Sequence, residues 1–262
     1  MTKGVSLLEL LAHKNKDKTR EVLLAHILCG DVWVDEEKCF NPKSLVKEES
    51  NIQIKIRSRF VSRGGKKLNS ILDTWHINVK GKTFVDAGCS TGGFTDCLLK
   101  RGASFIYAVD VGVNQLGYSL RINPKVKVME KINVTQLKKE MFSLEPDAAV
   151  MDLAFRSVRG AAAYLLSLVK EKWIIALIKP QFEWQNPGEE FDGVIREKNH
   201  YYSILTSLIR DLREEQVFVS KIAFSVLKGL KGNSEFFFFL EPEEKKSDKA
   251  LEKAITSLLQ NM

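Results

Sequence analysis

Between residues 83 and 240 the chain alternates short apolar runs with helical stretches, and this alternation constrains the fold most. The runs at 83–87, 105–109, 126–129, 148–151 and 174–178 are too short for helices and rich in β-branched and aromatic residues. Helical patterns lie between several of them, at 93–99, 161–169 and, later, 201–213. Strands fed through helices pair in parallel, and the helices then cover both faces of the sheet. Two final runs, 217–223 and 235–240, have only a loop between them, so an antiparallel edge hairpin is predicted. The expectation is an α/β fold: a doubly wound, mostly parallel, seven-stranded sheet, plus a small N-terminal α+β module.

The remaining composition excludes several classes. Hydrophobic residues make up 44% of the 262 and charged residues 28%, so a real core is affordable in length and content. A wholly disordered, collagen-like or coiled-coil chain is ruled out. No apolar run approaches the ~20 residues of a membrane span, and Lys170-Glu171-Lys172 interrupts the longest candidate, 160–179. The opening Met-Thr-Lys-Gly-Val-Ser lacks an export signal, so a cytoplasmic protein with no membrane partner is expected. Cys29, Cys39, Cys89 and Cys97 contain no CxxC pair, which suits reduced thiols and predicts no metal site.

Residues 1–58 form their own pattern. Leu7, Leu8, Leu10 and Leu11 make a helical stripe, Thr19 can cap a second helix over 20–29, and Gly30 can end it. Strands follow at 31–34 and where Ile52, Ile54 and Ile56 alternate with other residues. From Lys55 to Lys67 there are six basic residues (Lys55, Arg57, Arg59, Arg63, Lys66, Lys67) and no acidic one. With Gly64-Gly65 inside it, 59–66 reads as a linker between this module and a domain over 67–242, followed by a tail, 243–262, with a helix at 247–260. The basic stretch is either a solvated connector or, with Arg20, a stripe for phosphates. Lys+Arg number 40 against 33 Asp+Glu, which suits a polyanionic partner without requiring one.

The strongest local motif is Asp86-Ala87-Gly88-Cys89-Ser90-Thr91-Gly92-Gly93-Phe94-Thr95, at the end of the first sheet strand. Ligands of such sheets bind outside the carboxyl ends of the strands. The spacing is neither G-x-G-x-x-G nor a Walker A loop, which disfavours dinucleotides and nucleoside triphosphates. An acid followed by Gly-x-x-x-Gly-Gly suits a ligand with an amino group, a sugar and no phosphate, a description S-adenosylmethionine meets. Asp110 ends the second strand, where a carboxylate can accept ribose hydroxyls, with Val111 beside it, and Asn133 follows the third, near an adenine edge. The competing reading is a tight turn among ordinary surface acids.

Four charged residues stand at the ends of other elements: Lys67, Asp152, Lys179 and Glu235. Apolar runs lead directly into Asp152 and Lys179, and in a doubly wound sheet those two end adjacent strands. They are therefore expected to sit together on the ligand side.

The run Val61-Ser62-Arg63-Gly64-Gly65-Lys66-Lys67-Leu68, the glycine loop, Ile178-Lys179-Pro180-Gln181-Phe182-Glu183 and Lys231-Gly232-Asn233-Ser234-Glu235 together resemble the TlyA (hemolysin A) family, related to the FtsJ/RrmJ ribosomal RNA methyltransferases. The resemblance covers nearly the whole chain. It implies an S4-like RNA-binding domain, a class I methyltransferase domain using S-adenosylmethionine, and 2′-O-methylation of cytidine in ribosomal RNA within ribosomal subunits. It places the family's Lys-Asp-Lys-Glu tetrad on Lys67, Asp152, Lys179 and Glu235. Two departures stand out. The head has Asp35-Glu36-Glu37 in place of an Asn-Gly turn and lacks an opening Arg-Leu-Asp, which bears on its RNA grip. After Asp152 the chain reads Leu153-Ala154-Phe155-Arg156 where the family tends to Leu-Ser-Phe-Ile, which bears on substrate placement. The alternatives are a membrane-damaging protein and an RNA-binding protein with a non-catalytic methyltransferase fold.

Overall fold

A computed structural model describes residues 4–28, 30–55, 60–154, 156–185, 191–260 and 262; Cys29, Ile56, Arg57, Arg59 and Phe155 lie outside the described residues. Seven strands build the main sheet: β1 (Thr83–Ala87), β2 (Phe105–Asp110), β3 (Val126–Glu130), β4 (Ala148–Met151), β5 (Ile174–Ile178), β6 (Phe218–Phe224) and β7 (Phe236–Glu241). Their order is β6-β7-β5-β4-β1-β2-β3. The pairs β5–β4, β4–β1, β1–β2 and β2–β3 are parallel, while β7 runs antiparallel to both β5 and β6. The expected edge hairpin is therefore present. From β1 the chain builds outward to β3, then crosses back to β4 on the other side of β1. The carboxyl ends of β1 and β4 thus flank the switch point where such sheets hold ligands.

Helices cover both faces, which is why the strands read as continuous apolar runs rather than alternating ones. On one face α1 (Arg63–Thr74) and α2 (Gly93–Lys100) bury Leu68, Ile71, Leu72, Phe94 and Leu98 against Phe84, Ile106, Val150 and Phe237. A short turn, α3 (Tyr118–Arg121), follows β2. On the other face α4 (Ala161–Leu168) and α6 (Lys198–Glu214) pack Leu165, Tyr201, Leu205 and Leu208 on Val85, Ala149, Ile178 and Phe236. Between them, α5 (Pro180–Glu183) is a single turn leaving β5. The last helix, α7 (Asp248–Gln260), adds Leu251, Ile255 and Leu259 to that same core.

The predicted linker is corrected here. Gly64, Gly65 and Lys66 are not a flexible connector but the first turn of α1, and Phe60 already belongs to the core beneath it. Glycine is required for packing rather than for mobility. A Cβ on Gly65 would lie 2.4 Å from the Phe60 Cβ and 2.9 Å from the Gly93 carbonyl oxygen. One on Gly93 would lie 2.9 Å from the Gly65 nitrogen. The start of α1 is thereby pressed onto the glycine loop at the start of α2.

In the N-terminal module, helices Leu7–Lys14 and Arg20–Leu28 bury Leu7, Leu11, Leu23 and Ile27 with Val32 of a three-stranded sheet. The Asp35-Glu36 turn joins strands Val32–Val34 and Glu37–Lys38 with both residues at positive φ, 47° and 71°. That conformation favours Asn-Gly, and here the Asn51 N–H donating to Asp35 Oδ1 at 2.8 Å holds it in place. Among the described residues no helix is long and apolar enough to cross a membrane.

Candidate active site

The carboxyl edge of the sheet opens into a groove of about 500 Å³ lined by Gly88, Ser90, Asp110, Val111, Asn133, Asp152, Arg156 and Lys179, with Ile132, Val134 and Leu153 among its apolar walls. Its floor is the loop after β1. Gly88 lies at φ +83°, and a Cβ there would come within 2.5 Å of the Asp152 carbonyl oxygen. The loop is tied to β2: the Gly88 and Cys89 N–H groups both donate to the Val109 carbonyl. Asp110 then gathers the rim, accepting from the Ser90 N–H at 2.8 Å and the Gly112 N–H at 2.7 Å. A carboxylate offers about four lone-pair directions, so two remain for hydroxyl donors.

Asp86 is fully buried behind this wall rather than in it. Thr95 Oγ1 donates to its Oδ2 at 2.6 Å, while Oδ1 has no hydrogen-bond partner among the described residues. Burial pushes its carboxyl up to about 7, opposed by the Thr95 bond and reinforced by the Asp152 charge. Asn133 lines the groove but also caps the 3-10 turn Val134–Gln136, its Oδ1 accepting from the Thr135 N–H. Thr91, Gly92, Gly93 and Phe94 do not line the groove. For Phe94 this is a correction: its ring faces the core and stacks on Phe237 at 6.2 Å, because the residue sits on the buried side of α2.

Sheet register assembles the four charged residues. Lys179 follows β5 and Asp152 follows β4, and Lys179 Nζ lies 2.6 Å from Asp152 Oδ1 while donating to the Leu153 carbonyl at 3.0 Å. The antiparallel pairing of β5 with β7 ends at Ile178 and Phe236, so one further step sets Lys179 opposite Glu235. Glu235 in turn forms a buried ion pair with Lys67, delivered by α1 from across the sheet edge. The four residues come from four separate elements and form two ion pairs at neighbouring strand ends.

A buried cluster that the sequence reading passed over braces this edge. Glu183, closing α5, accepts from the Val158 N–H at 3.0 Å and from Arg159 Nη1 at 2.8 Å, and Ser157 Oγ donates to it. Arg159 reaches on to Asp211 of α6 at 2.7 Å. Burial raises the Glu183 carboxyl, partly countered by these donors. The cluster pins the connection carrying Asp152 to the turn carrying Lys179. Only the acid within Lys179-Pro180-Gln181-Phe182-Glu183 hinted at it; Arg159 and Asp211 carry no local signal.

The expected RNA-contacting residues are dispersed. Arg20, Arg63 and Lys66 are exposed, with Arg63 Nη2 donating to the Lys228 carbonyl at 2.9 Å. Lys55 lies over the Trp33 ring at 5.0 Å, and Arg57 and Arg59 lie outside the described residues.

Comparison with known proteins matches residues 60–241 to the family described as FtsJ-like methyltransferase. The chain belongs to that family. Hemolysin A of Brachyspira hyodysenteriae is 36% identical over 226 residues, 85% of this chain and 92% of that protein. The 16S/23S rRNA (cytidine-2′-O)-methyltransferase TlyA of Mycobacterium tuberculosis is 32% identical over 250 residues, 94% of this chain and 93% of the relative. A solved structure described as a hemolysin from Streptococcus thermophilus superimposes with a TM-score of 0.71 at 28% identity, covering 99% of this chain and 97% of the other. Family membership makes the protein a methyltransferase, with S-adenosylmethionine as its cofactor. The groove fits that molecule: its volume of about 500 Å³ suits a nucleoside with a short chain, Gly88 adds backbone to its lining, and Asp110 has acceptor capacity to spare.

Proposed function

We propose that the protein transfers a methyl group from S-adenosylmethionine to the ribose 2′-hydroxyl of a cytidine in ribosomal RNA, acting on ribosomal subunits. The observation that carries this reading is the Lys179–Asp152 pair standing in the wall of the donor groove. Relatives at 32–36% identity, one of them named for this reaction, support the choice of substrate.

When bound, the cofactor supplies an electrophilic methyl group on a sulfonium centre. The chain's residues handle the proton and the alignment. A ribose hydroxyl attacks only as its proton leaves, and a positioned base takes that proton. Lys179 serves in this role, since a lysine amine takes a proton once its own has been shed. Asp152 Oδ1, 2.6 Å from its Nζ, and the Leu153 carbonyl, which accepts from it at 3.0 Å, hold that amine at the wall of the groove. Of the chain's own residues, Asp110, with Gly88, Ser90, Val111 and Asn133 beside it in the lining, would hold the donor, Asp110 accepting from its ribose hydroxyls, while Asp86 stays buried behind the loop. Lys67 and Glu235 act at one remove, their buried ion pair joining α1 to β7 at the edge that carries Lys179. Residues 4–55 serve as an S4-like RNA-binding module, with Arg20, Lys55, Arg63 and Lys66 facing RNA backbone.

The test is transfer of a tritiated methyl group to isolated ribosomal subunits, followed by mapping of the labelled nucleotide. Label on a cytidine 2′-oxygen supports the reading. Label on a base or on protein, or leakage of lipid vesicles in place of transfer, overturns it.

A further inference from the structure

Arg156 lines the same groove as Asp152 and Lys179, is exposed, and forms no hydrogen bond or ion pair with any described residue. Three residues on, Arg159 is held by both Glu183 and Asp211. The other groove-lining cation, Lys179, is committed to Asp152 and the Leu153 carbonyl. Described residues on either side of Arg156 are anchored. Leu153 is bonded to Lys179 before it, and Ser157 and Val158 are bonded to Glu183 after it. Between these anchors Arg156 presents a guanidinium that no described residue claims, and its planar fork matches two oxygens of one phosphate.

The wall it faces makes this charge matter. Among the described residues, the other charged lining groups are the carboxylates Asp110 and Asp152. A ribose whose 2′-hydroxyl reaches Lys179 brings its own 3′-phosphate on the neighbouring carbon. That phosphate meets acidic residues unless a cation offsets them.

We propose that Arg156 binds the RNA phosphate adjoining the methylated ribose and so sets how the nucleotide enters the groove; this rests on the ribosomal RNA reading above. Arg156 is a specificity residue, separate from proton transfer. The test uses the full chain with Arg156→Ala and Arg156→Lys. It measures S-adenosylmethionine affinity by calorimetry and methyl transfer to ribosomal subunits across a salt series. Arg156→Ala is expected to raise the KM for RNA about tenfold and to lower the salt slope by about one, because one phosphate contact is lost. Its kcat and donor affinity stay at wild-type values. Arg156→Lys restores the slope but only part of the KM, since a point charge replaces a two-pronged contact. Weakened donor binding with unchanged RNA KM and slope overturns the proposal in favour of a contact to the donor's carboxylate. An active wild type with an indistinguishable Arg156→Ala variant overturns the proposal alone. A wild type that transfers no methyl to either subunit overturns the RNA reading and this inference with it.

Discussion

The two ion pairs at the sheet's carboxyl edge have the same chemistry and opposite surroundings. Lys67 and Glu235 are sealed, with side chains 10% and 4% exposed, whereas Lys179 and Asp152 are 15% and 24% exposed and border the groove. A sealed pair has already lost its water, so removing one partner strands a charge where nothing else can solvate it. An open pair can trade partners with a ligand and falls back on water when broken. The difference separates bracing from chemistry: one pair joins α1 to β7, and the other offers its amine to a substrate.

That contrast can be broken in four ways. The largest effect is expected from Lys179→Ala, which should cut methyl transfer by ~1,000-fold or more, the scale of a lost general base, while S-adenosylmethionine still binds. Turnover near wild type in a single-turnover assay removes Lys179 from the mechanism. Glu235→Ala should cost about 3–5 kcal/mol of unfolding free energy in urea, and pairing it with Lys67→Met should recover most of that. Equal stability of Glu235→Ala and wild type would mean that the sealed pair is not a brace.

The third concerns Asp86, which feels the Asp152 charge through the groove wall. Its proton is held to about pH 7 in the folded protein, against an ordinary value of 3.8. Its contribution to stability is therefore full below the ordinary value and declines as pH rises through about 7, by on the order of 4 kcal/mol. Asp86→Asn should flatten that decline in pH-dependent denaturation, and Asp152→Asn should reduce it. The smallest effect is expected from Glu183→Gln, which leaves part of a buried cluster unsatisfied at a cost of about 1–3 kcal/mol. It should lower kcat more than it raises the KM for RNA, because it loosens the connection carrying Asp152. A variant with unchanged kcat but reduced stability confines Glu183 to a structural role.

Much of this architecture was legible because periodicity is local. The apolar runs, the Gly88 loop and the short connection before Glu235 gave the sheet, its edge hairpin and the expected meeting of Lys179 with Asp152. Other features were not legible, for physical reasons. Gly64-Gly65 has the composition of a linker, and only contact with Phe60 and Gly93 shows that it is the packed start of a helix. Phe94 sits inside the glycine motif, yet its direction depends on which side of α2 meets the sheet. Asp35-Glu36 lacks turn glycines, and the two-residue turn forms because Asn51, distant in sequence, supplies a hydrogen bond. The Glu183–Arg159–Asp211 cluster joins three elements and has no spacing to read.

From its order of residues alone, the chain determined where strands and helices form, since hydrophobic period and glycine placement act over a few neighbours. It also determined which charged residues stand at strand ends. The tertiary structure decided which of those charges are sealed and which are open, because exposure depends on which elements cover a site. That decision separates Glu235 from Asp152, two carboxylates that local sequence cannot tell apart, and leaves Arg156 without a partner among the described residues while Arg159 is held.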